Sequence, residues 1–287
     1  MLAGTGFLFR TIGSVKKMQT WRYLPYSVFK GTENMAIDEA IMSAMKENHN
    51  AQPVLRFYGW EPATLSLGYA QSYAKEVDVE ACRQANIDVV RRPTGGRAVL
   101  HQYELTYSVI VPESEEHVKG TIIQSYLKIS EALLKGINAV GVPAEIVAQA
   151  NSLHPGTAAC FDAPSWYELV VAGKKLVGSA QMRRDGILLQ HGSIILHFDT
   201  DLLFKLLKLP NEEVRQRLTK SLKTKACALD EVWTRPVTID ELEKEICLGF
   251  EEIMNIKMIP SVLTREENFM SEKLVEKYCS QEWTMKR

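Results

Sequence analysis

The stretch ACFDAPSWYELVVAGKKLVGSAQ holds a cysteine, Cys160, in a loop of small and polar residues. A short apolar run follows, then a Gly-Lys-Lys turn that carries Lys174 and Lys175 into a second apolar run. A thiol beside an ammonium is a nucleophile in waiting, because the positive charge favours the thiolate at neutral pH. Side chains alternate along a strand, so Lys175, Val177 and Ser179 share one face while Lys174, Leu176, Gly178 and Ala180 share the other. Lys174 lies nearer the turn and is expected in solvent. Lys175 is expected where the sheet is covered, and a covered ammonium needs a partner. A lone cysteine is most often a buried, inert thiol. The loop placement of Cys160 points the other way, and the residues alone leave both readings open.

Two further stretches carry polar groups where an apolar pattern breaks. In RRPTGGRAVLH a strand runs into Arg91 and Arg92, then a Pro-Thr turn, two glycines, Arg97 and His101. Adjacent glycines permit positive φ and close approach of the backbone to a ligand, whose oxygen the loop N–H groups can cradle. A plain glycine hairpin with solvated arginines fits the same residues. Neither nucleotide-binding glycine signature is present. In LLQHGSIIL, His191 and Gly192 interrupt a strand; the ring serves equally as a donor to a substrate carbonyl or as a satisfied strand histidine.

The elements around these stretches set the fold class. Trp21 to Ser27 reads as a strand, and GTENMAIDEAIMSAMKEN as a helix capped by Thr32, with apolar pairs every four residues. PVLRFYGW, ATLSLGYA, IDVVRR, ELTYSVIVP, YELVVAG, KKLVGSAQMRR and ILLQHGSIIL read as strands, with turns at Ala172-Gly173-Lys174 and Asp185-Gly186. TIIQSYLKISEALLKGINAVG is an amphipathic helix, and from Asp199 onward the pattern is mostly helical. Strands with two helices, then helices, predict an α+β fold with a mixed, largely antiparallel sheet flanked by helices and a helical C-terminal segment.

Bulk properties agree with one large domain. The chain has 287 residues, 46% of them hydrophobic, with a net charge of −1. Such a balance speaks against nucleic acid as a partner. Five scattered cysteines without C-x-x-C or zinc spacing argue against a metal site and for a reducing, cytoplasmic setting. No apolar run reaches the length of a membrane span. Residues 1–17 contain basic residues but no acids, and Met18 reads as a natural start. They are expected to be a disordered extension, followed by a catalytic domain over 18–260 and a helical segment packed on it over 261–287.

The motifs NMAIDEAIM, RRPTGGRAVLH and KKLVGSAQMRRDGILLQHGSI, in this order, resemble the lipoate-protein ligase and octanoyltransferase branch of the biotin and lipoate ligase superfamily. Within it, ACFDAPSWYEL before AGKKLVGSAQ is similar to the cysteine-dependent octanoyltransferases. ATP-dependent lipoate ligases carry a third glycine where this chain has Arg97 and lack a cysteine at the place of Cys160. Octanoyl amidotransferases, which move the group between lipoyl domains, tend to have Pro-Gly after their cysteine, where this chain has Phe161-Asp162. Both remain the alternatives.

The resemblance implies a fold like biotin ligases and class II tRNA synthetases, with Cys160 as acyl-thioester nucleophile and Lys175 lowering its pKa. It assigns Arg91, Thr94, Gly95, Gly96, Arg97 and His101 to a substrate loop, and Gly178, Ser179, Ala180, His191 and Gly192 to the acyl site. It further implies octanoyl-acyl carrier protein as donor, a lipoyl domain such as the glycine cleavage H protein as acceptor, and neither ATP nor metal. Acidic partners would meet Arg91, Arg92, Lys174, Arg183 and Arg184. Burying about seven methylene-sized groups at about 0.8 kcal/mol each gives an acyl slot on the order of 5 kcal/mol.

Overall fold

The computed structural model describes residues 18–148 and 167–286. Eleven strands and ten helices are assigned among them. The strands are β1 (Gln19–Phe29), β2 (Val54–Trp60), β3 (Thr64–Leu67), β4 (Asp88–Arg91), β5 (Val99–His101), β6 (Glu104–Pro112), β7 (Glu145–Ala148), β8 (Tyr167–Val171), β9 (Lys174–Arg184), β10 (Ile187–Ile195) and β11 (Ile256–Pro260). The helices are α1 (Gly31–Glu47), α2 (Tyr73–Glu76), α3 (Val79–Gln84), α4 (Ile122–Ala139), α5 (Thr200–Lys205), α6 (Glu212–Lys225), α7 (Leu229–Val232), α8 (Ile239–Met254), α9 (Arg265–Cys279) and α10 (Gln281–Thr284).

Eight strands form one sheet in the order β11-β1-β2-β6-β10-β9-β8-β7, parallel at β11-β1 and β1-β2 and antiparallel elsewhere. Three form a second, β4-β3-β5. This is the mixed, largely antiparallel architecture that the pattern predicts. The turns Ala172-Gly173 and Asp185-Gly186 have positive φ at both central positions, the backbone that matches the twist of a two-residue hairpin.

The large sheet is covered on both faces. α4 and α8 pack on one side through Ile129, Leu133, Ile137, Ile246 and Phe250. On the other side α1 lies against Val54, Ile110 and Leu189, and is itself covered by α9. That double cover explains why α1 buries nearly its whole circumference, polar Asn34, Asp38 and Glu39 included. Glu39 accepts from Tyr278 Oη at 2.6 Å, which ties α9 to α1. The α1 cap differs from expectation: the helix starts at Gly31, Lys30 is the cap residue, and the Glu33 carboxylate accepts from the Lys30 N–H at 2.9 Å. Thr32 already lies inside the first turn. The strands β5 and β11, unread in the sequence, pair with β3 and β1. Residues 1–17 lie outside the described residues, and the helices of the C-terminal segment begin at Arg265.

Candidate active site

A cleft lies between the two sheets. Gly178, Ser179 and Ala180 of β9 and His191, Gly192 and Ser193 of β10 line it from the large sheet, Ser66, Val99 and His101 from the small one, and Met35 from α1. It is narrow, with a free volume of about 30 Å³. The register pairs His191 with Ala180 and Gly192 with Ser179, so both motifs meet by strand pairing. A Cβ on Gly192 would come within 2.5 Å of Ser179 Oγ and 2.6 Å of the Gly178 carbonyl, so only glycine fits beside β9. Ser179 Oγ in turn shares a hydrogen bond with Tyr107 Oη at 2.8 Å.

The glycine loop adjoins the cleft through Thr94, whose Oγ1 contacts His191. Gly96 has φ +94, which the paired glycines anticipate, and Gly95 and Gly96 are exposed while Arg97 is half-buried. The loop is held from below by the 68–71 turn: Tyr69 N–H donates to the Thr94 carbonyl at 2.8 Å, and a Cβ on Gly68 would meet the Gly96 carbonyl at 2.0 Å. Arg92 lines the cleft with its guanidinium turned inward, donating to Ser66 Oγ and to the carbonyls of Ser66, Gly95 and Arg97.

Arg91 is placed elsewhere. It is fully buried, and its guanidinium donates to the carbonyls of Gly68, Tyr69, Gln71, Trp283 and Thr284. It reaches the loop's support instead of the cleft. The expectation that Arg91 and Arg92 face an acidic partner is therefore corrected, because both head groups are bonded inside the protein. Arg183 donates to Glu113 and the Gly120 carbonyl, and Arg184 to Glu39, so these two also serve internal contacts.

His191 is buried, with Nε2 2.6 Å from Thr94 Oγ1 and Nδ1 3.7 Å from Asp38 Oδ2. Asp38 accepts from Arg56 Nη1 at 2.8 Å, Ser108 Oγ at 2.9 Å and Tyr58 Oη at 3.1 Å. Burial alone would raise the Asp38 carboxyl, but Arg56 and His191 hold it below the usual carboxylate range. Burial lowers the His191 pKa, helped by Arg92 and His101 and opposed by Asp38, so the ring is neutral at pH 7.

His101 has a different setting. Its Nδ1 lies 2.6 Å from Glu104 Oε1 and its Nε2 2.8 Å from Ser66 Oγ. Ser193 and Thr106 also donate to Glu104 Oε1. The Trp60 ring stacks on His101 with centroids 3.9 Å apart, and its Nε1 donates to Thr106 Oγ1. A carboxylate on Nδ1 holds the N–H there and orients the ring, so that Nε2 faces Ser66 Oγ.

Lys175 is covered, 3% exposed, and Lys174 is half-buried, the order the sequence predicts. The reason is partly different. Val170 pairs with Lys175 but Leu169 with Val177, so β9 carries one extra residue and strict alternation breaks at Leu176. The segment after α6 covers the lysine: Cys227 N–H donates to the Lys175 carbonyl at 3.0 Å. The ammonium donates to Glu168 Oε1 of β8 at 2.8 Å, both groups buried. Lys175 lies about 10 Å along β9 from Gly178, at 3.3 Å per residue. Cys160 lies outside the described residues. Of the other thiols, burial pushes Cys82 and Cys227 up to about 11 and Cys247 up to about 12, which makes them inert at pH 7. Cys227 is a core residue.

The profile of the lipoyl protein ligase A/B catalytic domain matches residues 30–251. The chain belongs to the lipoyl protein ligase A/B family. Similar members are octanoyltransferases LipM of Geobacillus kaustophilus and Bacillus subtilis, each 46% identical over 94% of this chain and 99% of the relative. Among solved structures, the lipoate protein ligase of an archaeal lipoylation system from Thermoplasma acidophilum is 27% identical with a TM-score of 0.78, over 93% of this chain and 96% of that one. Lipoate-protein ligase A bound with ATP gives 26% and 0.76, over 93% and 99%.

In this family member, sequence reasoning missed the acidic partners. In NMAIDEAIM, Asn34 and Asp38 are polar residues one helical turn apart among the apolar residues of the buried face of α1, a signal that something polar or charged must meet them. Arg56 inside the apolar PVLRFYGW carries the complementary signal, and its Nη2 donates to Asn34 Oδ1. Glu168, within YELVV, is the same kind of interruption opposite Lys175.

Proposed function

We propose that this chain is an acyltransferase that moves octanoyl from octanoyl-acyl carrier protein to a lysine of a lipoyl domain in lipoate biosynthesis. Octanoyltransferases at 46% identity over nearly the whole chain support octanoyl as the cargo. The observation that carries the covalent route is the buried Lys175 side chain on the β9 strand that lines the cleft, paired with Glu168.

In the first step the Cys160 thiolate attacks the carrier thioester. The carbon–sulfur bond to the carrier's pantetheine breaks, the thiol of that arm leaves with a proton, and octanoyl-Cys160 forms. In the second, a neutral lysine amine of the acceptor attacks this thioester, the amide forms, and the Cys160 thiol is released. Both donor and intermediate are thioesters, so the first step is nearly balanced; amide formation drives the second. Lys175 lowers the thiol pKa by its charge. Backbone N–H groups of Gly95-Gly96 or of 178–180 are the candidates to hold the oxyanion. The reading needs no ATP and no metal, and places the reaction in the cytoplasm, with a lipoyl-domain protein such as the glycine cleavage H protein as acceptor.

Intact mass after mixing with octanoyl-acyl carrier protein tests this. An octanoyl adduct mapped to Cys160, and absent from Cys160→Ala, is the expected result. An absolute need for ATP and free lipoate would overturn it in favour of the ligase reaction. A preference for an octanoylated lipoyl domain as donor would assign the amidotransferase reaction instead.

A further inference from the structure

The glycine loop is connected to the far C-terminal turn by an unbroken chain of polar contacts. α10 offers the carbonyls of Trp283 and Thr284 to the Arg91 guanidinium, at 3.2 Å and 2.9 Å for the nearest pairs. The same guanidinium grips the 68–71 turn through Gly68, Tyr69 and Gln71 carbonyls. Trp283 Nε1 returns a bond to the Arg91 carbonyl at 2.8 Å, so the two residues hold each other in both directions. From the turn, Tyr69 N–H reaches the Thr94 carbonyl, and Thr94 Oγ1 reaches His191 in the cleft. The stack is closed outside by Lys286, whose Nζ sits 4.1 Å from the Tyr69 ring and 4.2 Å from that of Trp283.

A buried guanidinium is costly unless its N–H groups are bonded. Here they bond backbone carbonyls of two segments separated by most of the chain. Backbone carbonyls cannot be replaced by a different side chain, so the arrangement fixes the path of both segments at once. The turn in turn leaves no slack under the loop, because Gly68 touches the Gly96 carbonyl. α10 itself is anchored independently, through α9, on α1: the Tyr278 ring meets Trp283 edge-on and its hydroxyl bonds Glu39.

We propose that Trp283, acting with Arg91, is a positioning residue for the 94–97 loop, so that the C-terminal turn sets how tightly the loop holds the acyl donor. The inference rests on the reading of 94–97 as the substrate loop. Trp283 does not line the cleft: its indole N–H bonds the Arg91 carbonyl, and its ring packs on Tyr69 and on the cluster of Met35, Tyr58 and Trp60 in the cleft wall.

Trp283→Ala and the milder Trp283→Phe, which keeps a ring but loses the indole donor, test it in the full-length protein. Hydrogen–deuterium exchange of peptides spanning 66–72 and 90–98 is expected to quicken about tenfold in Trp283→Ala, the equivalent of one lost buried hydrogen bond, while 187–195 stays protected. The KM for octanoyl-acyl carrier protein is expected to rise by a similar factor with kcat within about twofold, and Trp283→Phe to fall between wild type and alanine. Unchanged exchange in 90–98, with 281–286 itself exchanging freely, would overturn the coupling. Faster exchange in 90–98 without any change in KM would uphold the coupling and remove the loop from substrate binding instead.

Discussion

The two sides of the cleft each bury a histidine near a carboxylate, and the two pairs are built differently. On the large-sheet side, Asp38 is neutralised by Arg56 and stands 3.7 Å from His191, which makes its short bond to Thr94. Facing it from the small sheet, His101 reaches across to Glu104 at the start of β6 at 2.6 Å, and Glu104 takes its other donors from hydroxyls. With an arginine present, the carboxylate's charge is already matched, and burial can hold His191 neutral. Without one, the carboxylate depends on the imidazole N–H and so dictates the tautomer. The contrast teaches that a histidine's behaviour is set by what else its carboxylate touches. The first arrangement supports the loop through Thr94; the second is an oriented ring held by a carboxylate.

Breaking the charge balance has the largest expected effect. Arg56→Met leaves Asp38 buried without its cation and should cost about 3–5 kcal/mol, measured by urea unfolding at pH 7. Asp38→Asn combined with Arg56→Met should recover part of that loss; a double variant no better than Arg56→Met would contradict the pairing. Glu104→Gln should cost about 2 kcal/mol, since hydrogen bonds to a charged acceptor become neutral ones. It should also release the His101 tautomer, seen as a change in ring nitrogen chemical shifts. An unaltered nitrogen spectrum would mean that Glu104 does not fix the ring.

The pH dependence separates the sides more finely. The His191 pKa lies below its ordinary 6.5, so the unfolded chain binds a proton there before the folded one does. Stability is therefore full above 6.5 and declines as pH falls through 6.5 toward the native value. His191→Asn should flatten that part of a plot of Tm against pH, and an unchanged slope would assign the decline to other groups. Asp38, held below its ordinary 3.8, loses its contribution as pH falls below 3.8. The smallest effect is expected from Thr94→Val, about 1 kcal/mol, because it removes a single hydroxyl from His191.

Much of this was legible in local pattern. Alternation and Gly-containing turns located β8, β9 and β10, and their pairing alone brings Gly178–Ala180 beside His191 and Gly192. Lys175 could be chosen over Lys174 because one residue of difference on a strand decides which face is covered. What was not legible depends on distant residues meeting. Nothing near Arg91 announces that its partners lie in Trp283 and Thr284, nor does Lys175 reveal whether its counter-charge is a thiolate or Glu168. β11 escaped notice because a short strand with exposed alternate positions gains its identity only from β1.

The extra residue in β9 has a consequence for how this protein can vary. Strand register is normally defended by the whole apolar face, since a slip of one residue turns every side chain over. At Leu176 the pairing already absorbs one residue, so a deletion there would leave a regular ladder, with Lys175 still opposite Val170 and Val177 still opposite Leu169. The Lys175–Glu168 pair would keep its place. Loss of a residue at this point is thus absorbed by the bulge, whereas a loss elsewhere in β9 would turn the strand over.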